Sequence, residues 1–506
     1  MTRTIPFGLG LVLACLPLAA ATASAGAAVD FGDVNQIRVP GPTGGHQVPA
    51  SIVSGRFDDD VDPDLAVAAA DELRVFLGAK KGTFQQLKKP ALRSGFDFVQ
   101  VVAARLDADE RLDLIALGED GGELTTLLGE GNGGFRVAAT LEPPPLGTTL
   151  AAIDAGDLDG DGNTDLAGVT SFNRVHILLG DGAGGLTPAA IYDPGGLATD
   201  LVAVERLDPG PSLDIAVAGL QSARALLNDG TGGFVPRPAE PCCRSDVQPL
   251  AGLDVGDLNG DAIADLVVGS VLDRGQIVAH PLLGDGAGGF EEQAAALVPF
   301  GFTSQLSPDA MRLADVDRDG RLDLLSSNED LSAGSFAVLL GDGAGGFASH
   351  VAFSAHKGPS GLVSDDFNGD GRLDVATANY YNGLSLSTFL SRRGQVKCRG
   401  RPASFVGFAA GDVSATKGRP RLSDAPFGTS DGDVLSTGAG KDFPRGAGGD
   451  DAICAGGGDD RVSGAKGSDL LAGGGGSDRL NGGSGKDRCV GGPGRDRFKS
   501  CEKIRR

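Results

Sequence analysis

The sequence predicts an all-β protein, a seven-bladed β-propeller followed by a parallel β-roll of nonapeptide repeats, and two internal repeat series predict it. An acidic loop recurs seven times at spacings of 49 to 58 residues within residues 26–397. An aspartate then recurs every nine residues within 428–500. The 82 glycines among 506 residues agree with such turn-rich β structure.

In chain order, the first element is an export signal. Arg3 precedes an apolar run from Phe7 to Ala21 and the small residues Ala23, Ser24 and Ala25, the pattern of a secretory signal peptide over residues 1–25. Cys15 gives the run a faint likeness to a lipoprotein processing site, but Leu13 is unusual there and the apolar run continues past it. No later segment reaches transmembrane length, so the expectation is a secreted, extracellular protein without a transmembrane segment. A net charge of −23 argues against nucleic acid or an anionic membrane as partner. Six cysteines follow the signal, which in an exported chain suggests disulfides; Cys489 with Cys501 is the pairing expected, while adjacent Cys242 and Cys243 fit one bridge or two.

The clearest unit of the first series runs from Gly156 to Leu166, an acidic loop ending in an apolar strand start. Its final Asp165 recurs as Asp64, Asp113, Asp214, Asp265, Asp323 and Asp374. Between the loops an apolar stretch and a glycine turn recur, ending at Leu186 and, in near copies, at Phe84, Phe135, Phe234, Phe290 and Phe347. About fifty residues hold four short strands, the content of one propeller blade. The isolated Phe31 segment at the start and the unaccompanied 386–390 segment at the end would complete one another, so the strand near Phe31 to Val39 is expected to close the last blade.

Carboxylates at alternate positions, with a glycine for the sharp turn, wrap one hard cation in oxygen ligands, and calcium tolerates such an irregular cage. Asp157, Asp159, Asp161 and Asp165 form the fullest set, with Asn163 contributing its carbonyl oxygen. An EF-hand would need a glutamate where Gly168 stands, and the flanks alternate like strands.

These loops resemble the FG-GAP or VCBS repeats of integrin-α-like propellers, over roughly residues 30 to 396. The resemblance implies calcium at Asp315, Asp317, Asp319 and Asp323, and at Asp366, Asn368, Asp370 and Asp374; Arg321 and Arg372 occupy the Asn163 position in those sets. Asp257, Asn259, Asp261 and Asp265 keep the ligands, but Ala262 replaces the turn glycine. Two copies begin with Arg56 and Arg105 and retain Asp58, Asp60 and Asp64, or Asp107, Asp109 and Asp113; there the arginines would replace the ion's charge. The copy from Asp208 to Asp214 has lost its middle acid and is expected to hold no ion.

Residues 398–427, with three prolines and no period, read as a linker. Beyond it Asp433, Asp442, Asp451, Asp460, Asp469, Asp478, Asp487 and Asp496 keep a nine-residue interval, with a glycine usually two before and an apolar residue such as Ile453 or Leu471 two after. This is similar to the Gly-Gly-x-Gly-x-Asp-x-Leu-x nonapeptide of RTX, hemolysin-type, calcium repeats. The resemblance implies stacked turns whose aspartates share calcium, from Asp442 to Asp496, and leaves residues 501–506 as a tail.

Two functions compete. One is an extracellular calcium-binding module for a protein or glycan; the other is a secreted hydrolase or lyase on the same scaffold, since fold alone does not decide. The five histidines fall at unrelated phases, and no nucleophile-elbow or zinc motif is present. No Trp and three Tyr leave little aromatic surface for sugar stacking.

Overall fold

A computed structural model describes residues 31–38, 51–94, 97–118, 123–141, 149–170, 173–195, 199–219, 222–242, 252–272, 277–298, 308–328, 334–355, 358–379, 385–391, 397–398, 401–402, 405–406, 434–437 and 441–505. The signal segment, His46, Cys243, His356, Tyr380, Tyr381 and Asp433 lie outside these. Among the described residues the helical structure is one 3-10 turn, Pro308–Ala310, and no helix is long and apolar enough to cross a membrane.

Seven antiparallel sheets form the blades. Each repeat supplies an inner strand, the acidic loop, a buried second strand beginning at the recurrent aspartate and a third strand, and the first six also supply an outer strand. In blade 3 these strands are Leu150–Gly156, Asp165–Thr170, Arg174–Gly180 and Leu186–Tyr192. Apolar residues on both faces of the second strand explain its position, because neighbouring blades cover it from both sides. Each seam between blades has its own core, and Phe57 against Phe135 and Phe84 against Phe367 meet edge to face across two of them.

Closure follows the expected route. Phe31–Arg38 pairs antiparallel with Ser385–Ser391, the third strand of blade 7, and so supplies that blade's outer strand. Phe31 is fully buried among Phe336, Phe353 and Phe389.

The C-terminal part is a coil of parallel strands. Successive nonapeptides alternate between two parallel sheets, so a full coil takes two repeats: Arg461–Lys466, Arg479–Ser484 and Arg497–Lys499 build one sheet, and Ala452–Cys454, Leu470–Ala472 and Arg488–Val490 lie in the other. Leu435, Ile453, Val462, Leu471 and Leu480 are buried between them, as their phase requires.

Two boundaries differ from the sequence reading. Phe405–Val406, inside the stretch read as a linker, pairs in parallel with the outer strand of blade 6, Phe347–Ser354, and with Val434–Ser436. One ten-stranded sheet therefore runs from blade 6 into the roll, and one apolar core joins Val267 and Leu339 of the propeller to Ile453 and Leu471. The supposed tail is also structured: Lys503–Arg505 pairs in parallel with Arg488–Val490 as a last rung, beside the Cys489–Cys501 disulfide. Both pieces were too short for a period to register.

Candidate metal centres

In every blade the recurrent aspartate ties the acidic loop to the sheet. Asp165 Oδ2 accepts the Leu158 N–H at 2.8 Å and Oδ1 accepts the Gly180 N–H at 2.8 Å, across to the third strand. Asp64, Asp113, Asp265 and Asp323 repeat this with Phe57 and Gly78, Leu106 and Gly129, Leu258 and Gly284, and Val316 and Gly341. Asp374 takes the Ser391 N–H. Asp214 makes the same bonds to Leu207 and Asn228, although its loop lacks the other acids. The residue is thus a structural staple first, and a cation can share it only through remaining lone pairs.

Burial pushes these carboxyls up despite their hydrogen bonds: Asp64 to about 6, Asp323 and Asp374 to about 7. Asp317 rises to about 6 through burial and then the charge of Asp319. Carboxylates crowded in this way gain from a cation.

Three loops bring one oxygen of each of three aspartates within 4.8 Å of one another: Asp107, Asp109 and Asp113; Asp157, Asp159 and Asp165; and Asp315, Asp317 and Asp323. The loops at Asp58, Asp257 and Asp366 do not form such a three-acid group among the described residues. Asp161 turns away to Asn163, whose backbone and side-chain N–H groups it accepts. Asn368 donates its amide to Asp374, while Asp370 accepts the Arg372 N–H. The first aspartate organises the turn: Asp157 accepts from Gly160 and Gly162, and Asp257 from Gly260 and Ala262. Asn259 and Asp261 bond to each other within that turn, and Asp60 accepts the Asp62 N–H. Ala262 pays for its glycine-like place with φ +64.

The expected role of Arg56 and Arg105 is not met. Among the described residues neither pairs with a carboxylate; Arg111 lies 3.6 Å from Asp109 instead. Arg321 likewise pairs with Asp319, which leaves its backbone carbonyl as its possible oxygen ligand.

The loops sit at blade seams. The Gly184 N–H of blade 3 donates to Leu106 O in the loop of blade 2, and Gly133 donates to Phe57 O in the loop of blade 1. The glycine turn that recurred in the sequence is the piece that reaches across.

In the roll the aspartates form two columns, each member 18 residues from the next. Asp442, Asp460, Asp478 and Asp496 make one; Asp451, Asp469 and Asp487 make the other. Within a column each backbone N–H donates to Oδ1 of the aspartate one coil on, as from Asp460 to Asp478 at 3.0 Å. Glu502 ends the second column by accepting the Asp487 N–H, a role the nine-residue period does not reveal. Oδ2 of Asp460, Asp469, Asp478 and Asp487 is buried and has no hydrogen-bond partner. Asp460 is pushed up to about 7 by burial. Five residues before Asp451, Asp469, Asp478, Asp487 and Asp496 stands a glycine, with Thr437 and Ala455 in that place before Asp442 and Asp460, and a Cβ on Gly464 or Gly473 would strike Oδ2 of Asp469 or Asp478. A repeated, buried, unpartnered oxygen kept clear by glycine fits a hard cation.

Two polar groups escaped the sequence reading. Asp154, Asp254 and Arg312 line a central cavity of about 330 Å³, with Arg312 3.0 Å from Asp309. Each stands three residues before its loop, a phase at which Val53, Val102 and Val363 occupy other blades. Ser270, His280 and Glu292 form a chain with both contacts at 2.8 Å. Those distances match a nucleophile, base and orienting acid, but Ser270 is 0% exposed, so the chain serves as a buried cross-strand link.

An all-β propeller with acidic loops at its seams and a roll with two aspartate columns defines a class of repeat protein built around cation-ready turns. Comparison places its repeats. A family model for the FG-GAP-like repeat matches residues 56–116, 105–168 and 315–377, and one for the RTX calcium-binding nonapeptide repeat matches 427–462 and 463–498. The chain carries both kinds of repeat. No curated protein matches it. Among solved structures it is similar to BBS1N in complex with ARL6DN, soaked with lead, at 16% identity and a TM-score of 0.50, over 72% of this chain and 97% of that one. The mercury-soaked form of that complex gives 14% and 0.50 with the same coverage. An Agrocybe aegerita lectin, in a structure described as recognising non-reducing terminal N-acetylglucosamine, gives 18% and 0.44 over 68% and 85%. At these identities the likeness concerns the fold alone.

Proposed function

We propose that this protein is a secreted, extracellular calcium-binding module that presents a propeller to a protein or glycan, with calcium holding the roll and the blade seams. The observation that carries the reading is the series of buried, unpartnered Oδ2 atoms in the roll. Calcium there relieves the repulsion of stacked carboxylates and joins successive coils, so that binding free energy becomes folding free energy. Asp442 to Asp496 are its ligands in the roll. In the propeller the loops at Asp107, Asp157 and Asp315 are the first to fill, since their carboxylates already converge. Those at Asp58, Asp257 and Asp366 need side-chain rearrangement and bind more weakly.

Calorimetric titration of the full chain with calcium and with magnesium tests the reading. Several calcium ions per chain, with magnesium a poor substitute because it demands a tighter octahedral cage, is the expected result. A chain that takes up no calcium refutes it. A glycan array and a matrix-protein screen, each run with calcium and with chelator, test the binding role.

A further inference from the structure

The residue that follows each roll aspartate alternates between the two sheets. On the sheet continuous with blade 6 it is Val434, Ala452, Leu470 and then Arg488; on the free sheet it is Phe443, Arg461, Arg479 and Arg497. The three arginines are direct neighbours in register and exposed. Parallel strands lie about 4.8 Å apart, so the free face carries a cationic ladder of that period. Among the described residues none of the three forms an ion pair with a carboxylate; Arg461 lies over the Phe443 ring at 5.4 Å. Together with Lys441, Arg445 and Lys499 they line a groove of about 820 Å³. Like charges placed directly opposite destabilise a sheet unless something neutralises them.

The charge is local. Residues 441–505 hold twelve basic and ten acidic side chains in a chain whose net charge is −23, and the roll aspartates themselves point inward. Calcium on those aspartates leaves the groove face more strongly positive.

We infer that this groove binds a linear acidic polysaccharide, its carboxylate or sulfate groups meeting successive arginines along the roll. A straight ladder of forked donors suits a polymer with regularly spaced planar anions. Single-stranded nucleic acid is disfavoured because Phe443 is buried with Arg461 over its ring, Phe498 packs against the core, and the outward positions between the arginines, Ser463 and Asn481, offer no aromatic platform for bases. A membrane is disfavoured because the face has no exposed apolar residue to insert. The inference deepens the binding reading above and rests on it for the folded, calcium-loaded roll.

The test uses the full chain in calcium and a short oligogalacturonate, with a neutral oligosaccharide of equal length as control. Binding should weaken as salt is raised and be absent for the neutral sugar. The variant Arg461→Ser/Arg479→Ser/Arg497→Ser should bind roughly tenfold or more weakly, with calcium stoichiometry and roll protection against hydrogen exchange unchanged, and the corresponding triple Arg→Lys variant should retain most of the affinity. An unchanged affinity in the folded serine variant overturns the assignment. So does tighter binding to an oligodeoxynucleotide or to phosphatidylserine vesicles, or an arginine-dependent self-association that excludes the sugar. If calcium is not taken up at all, the calcium reading fails, and arginine-dependent sugar binding in chelator still decides this one.

Discussion

Asp165 and Asp214 make the same backbone bonds, yet only Asp165 lies among converging carboxylates. Replacing Asp214, a staple alone, and Asp157, which lies in the Asp165 group without its staple bonds, separates stapling from metal binding. Asp214→Ala should cost roughly 2 kcal/mol by stranding buried N–H groups, equally in calcium and in chelator. Asp157→Ala should instead lower the calcium stoichiometry by about one and the melting temperature by more in calcium than in chelator, where only its exposed bonds to Gly160 and Gly162 are lost. At Ala262 the native φ of +64 suits glycine, so Ala262→Gly should stabilise the chain by about 1 kcal/mol, read from chemical denaturation. Ser270→Ala should lower stability by roughly 1 kcal/mol, because it breaks a buried hydrogen-bond chain.

At the scale of elements, the closing strand and the roll depend on different forces. Phe31–Arg38 brings a buried aromatic ring and completes a sheet, so a chain lacking residues 26–45 should expose the edge at Ser385–Ser391 and aggregate; a soluble monomer with the parent melting temperature would count against that role. The roll has one modest apolar residue per turn and stacked carboxylates. Chelation should erase hydrogen-exchange protection across 441–505 while blades 1 to 4, each sealed by its own seam core, stay protected. Protection that survives excess chelator would mean that the core shared with blade 6 and the disulfide suffice.

For the whole molecule, pH should act in opposite directions with and without calcium. The metal-free folded state raises the pKa of Asp64, Asp323, Asp374 and Asp460 to between about 6 and 7, above the ordinary carboxylate range. Between the unfolded and folded pKa values the native state holds more protons, so metal-free stability is full below about pH 4 as far as these groups are concerned and is lost as pH rises through 6 to 7. Calcium favours the ionised form, so the stabilisation it adds should grow over the same window. Thermal melts at pH 5 and pH 8, in chelator and in calcium, check both signs.

The sequence by itself determined the number of blades, the closing strand and the nine-residue clock, because each leaves a periodic mark along the chain; it only suggested the Cys489–Cys501 pairing, which the structure forms. Tertiary structure alone decided which acids converge: Asp161 and Asp159 are equal in the pattern, but a local bond to Asn163 turns one away. It decided that Phe405–Val406 makes blade 6 and the roll one sheet, since two residues carry no period. It also set Asp154, Asp254 and Arg312 around one cavity and Arg461, Arg479 and Arg497 on one face. Spacing fixes the phase of a residue within its repeat; only the closure of seven blades and the winding of the coil bring residues of the same phase within reach of one another.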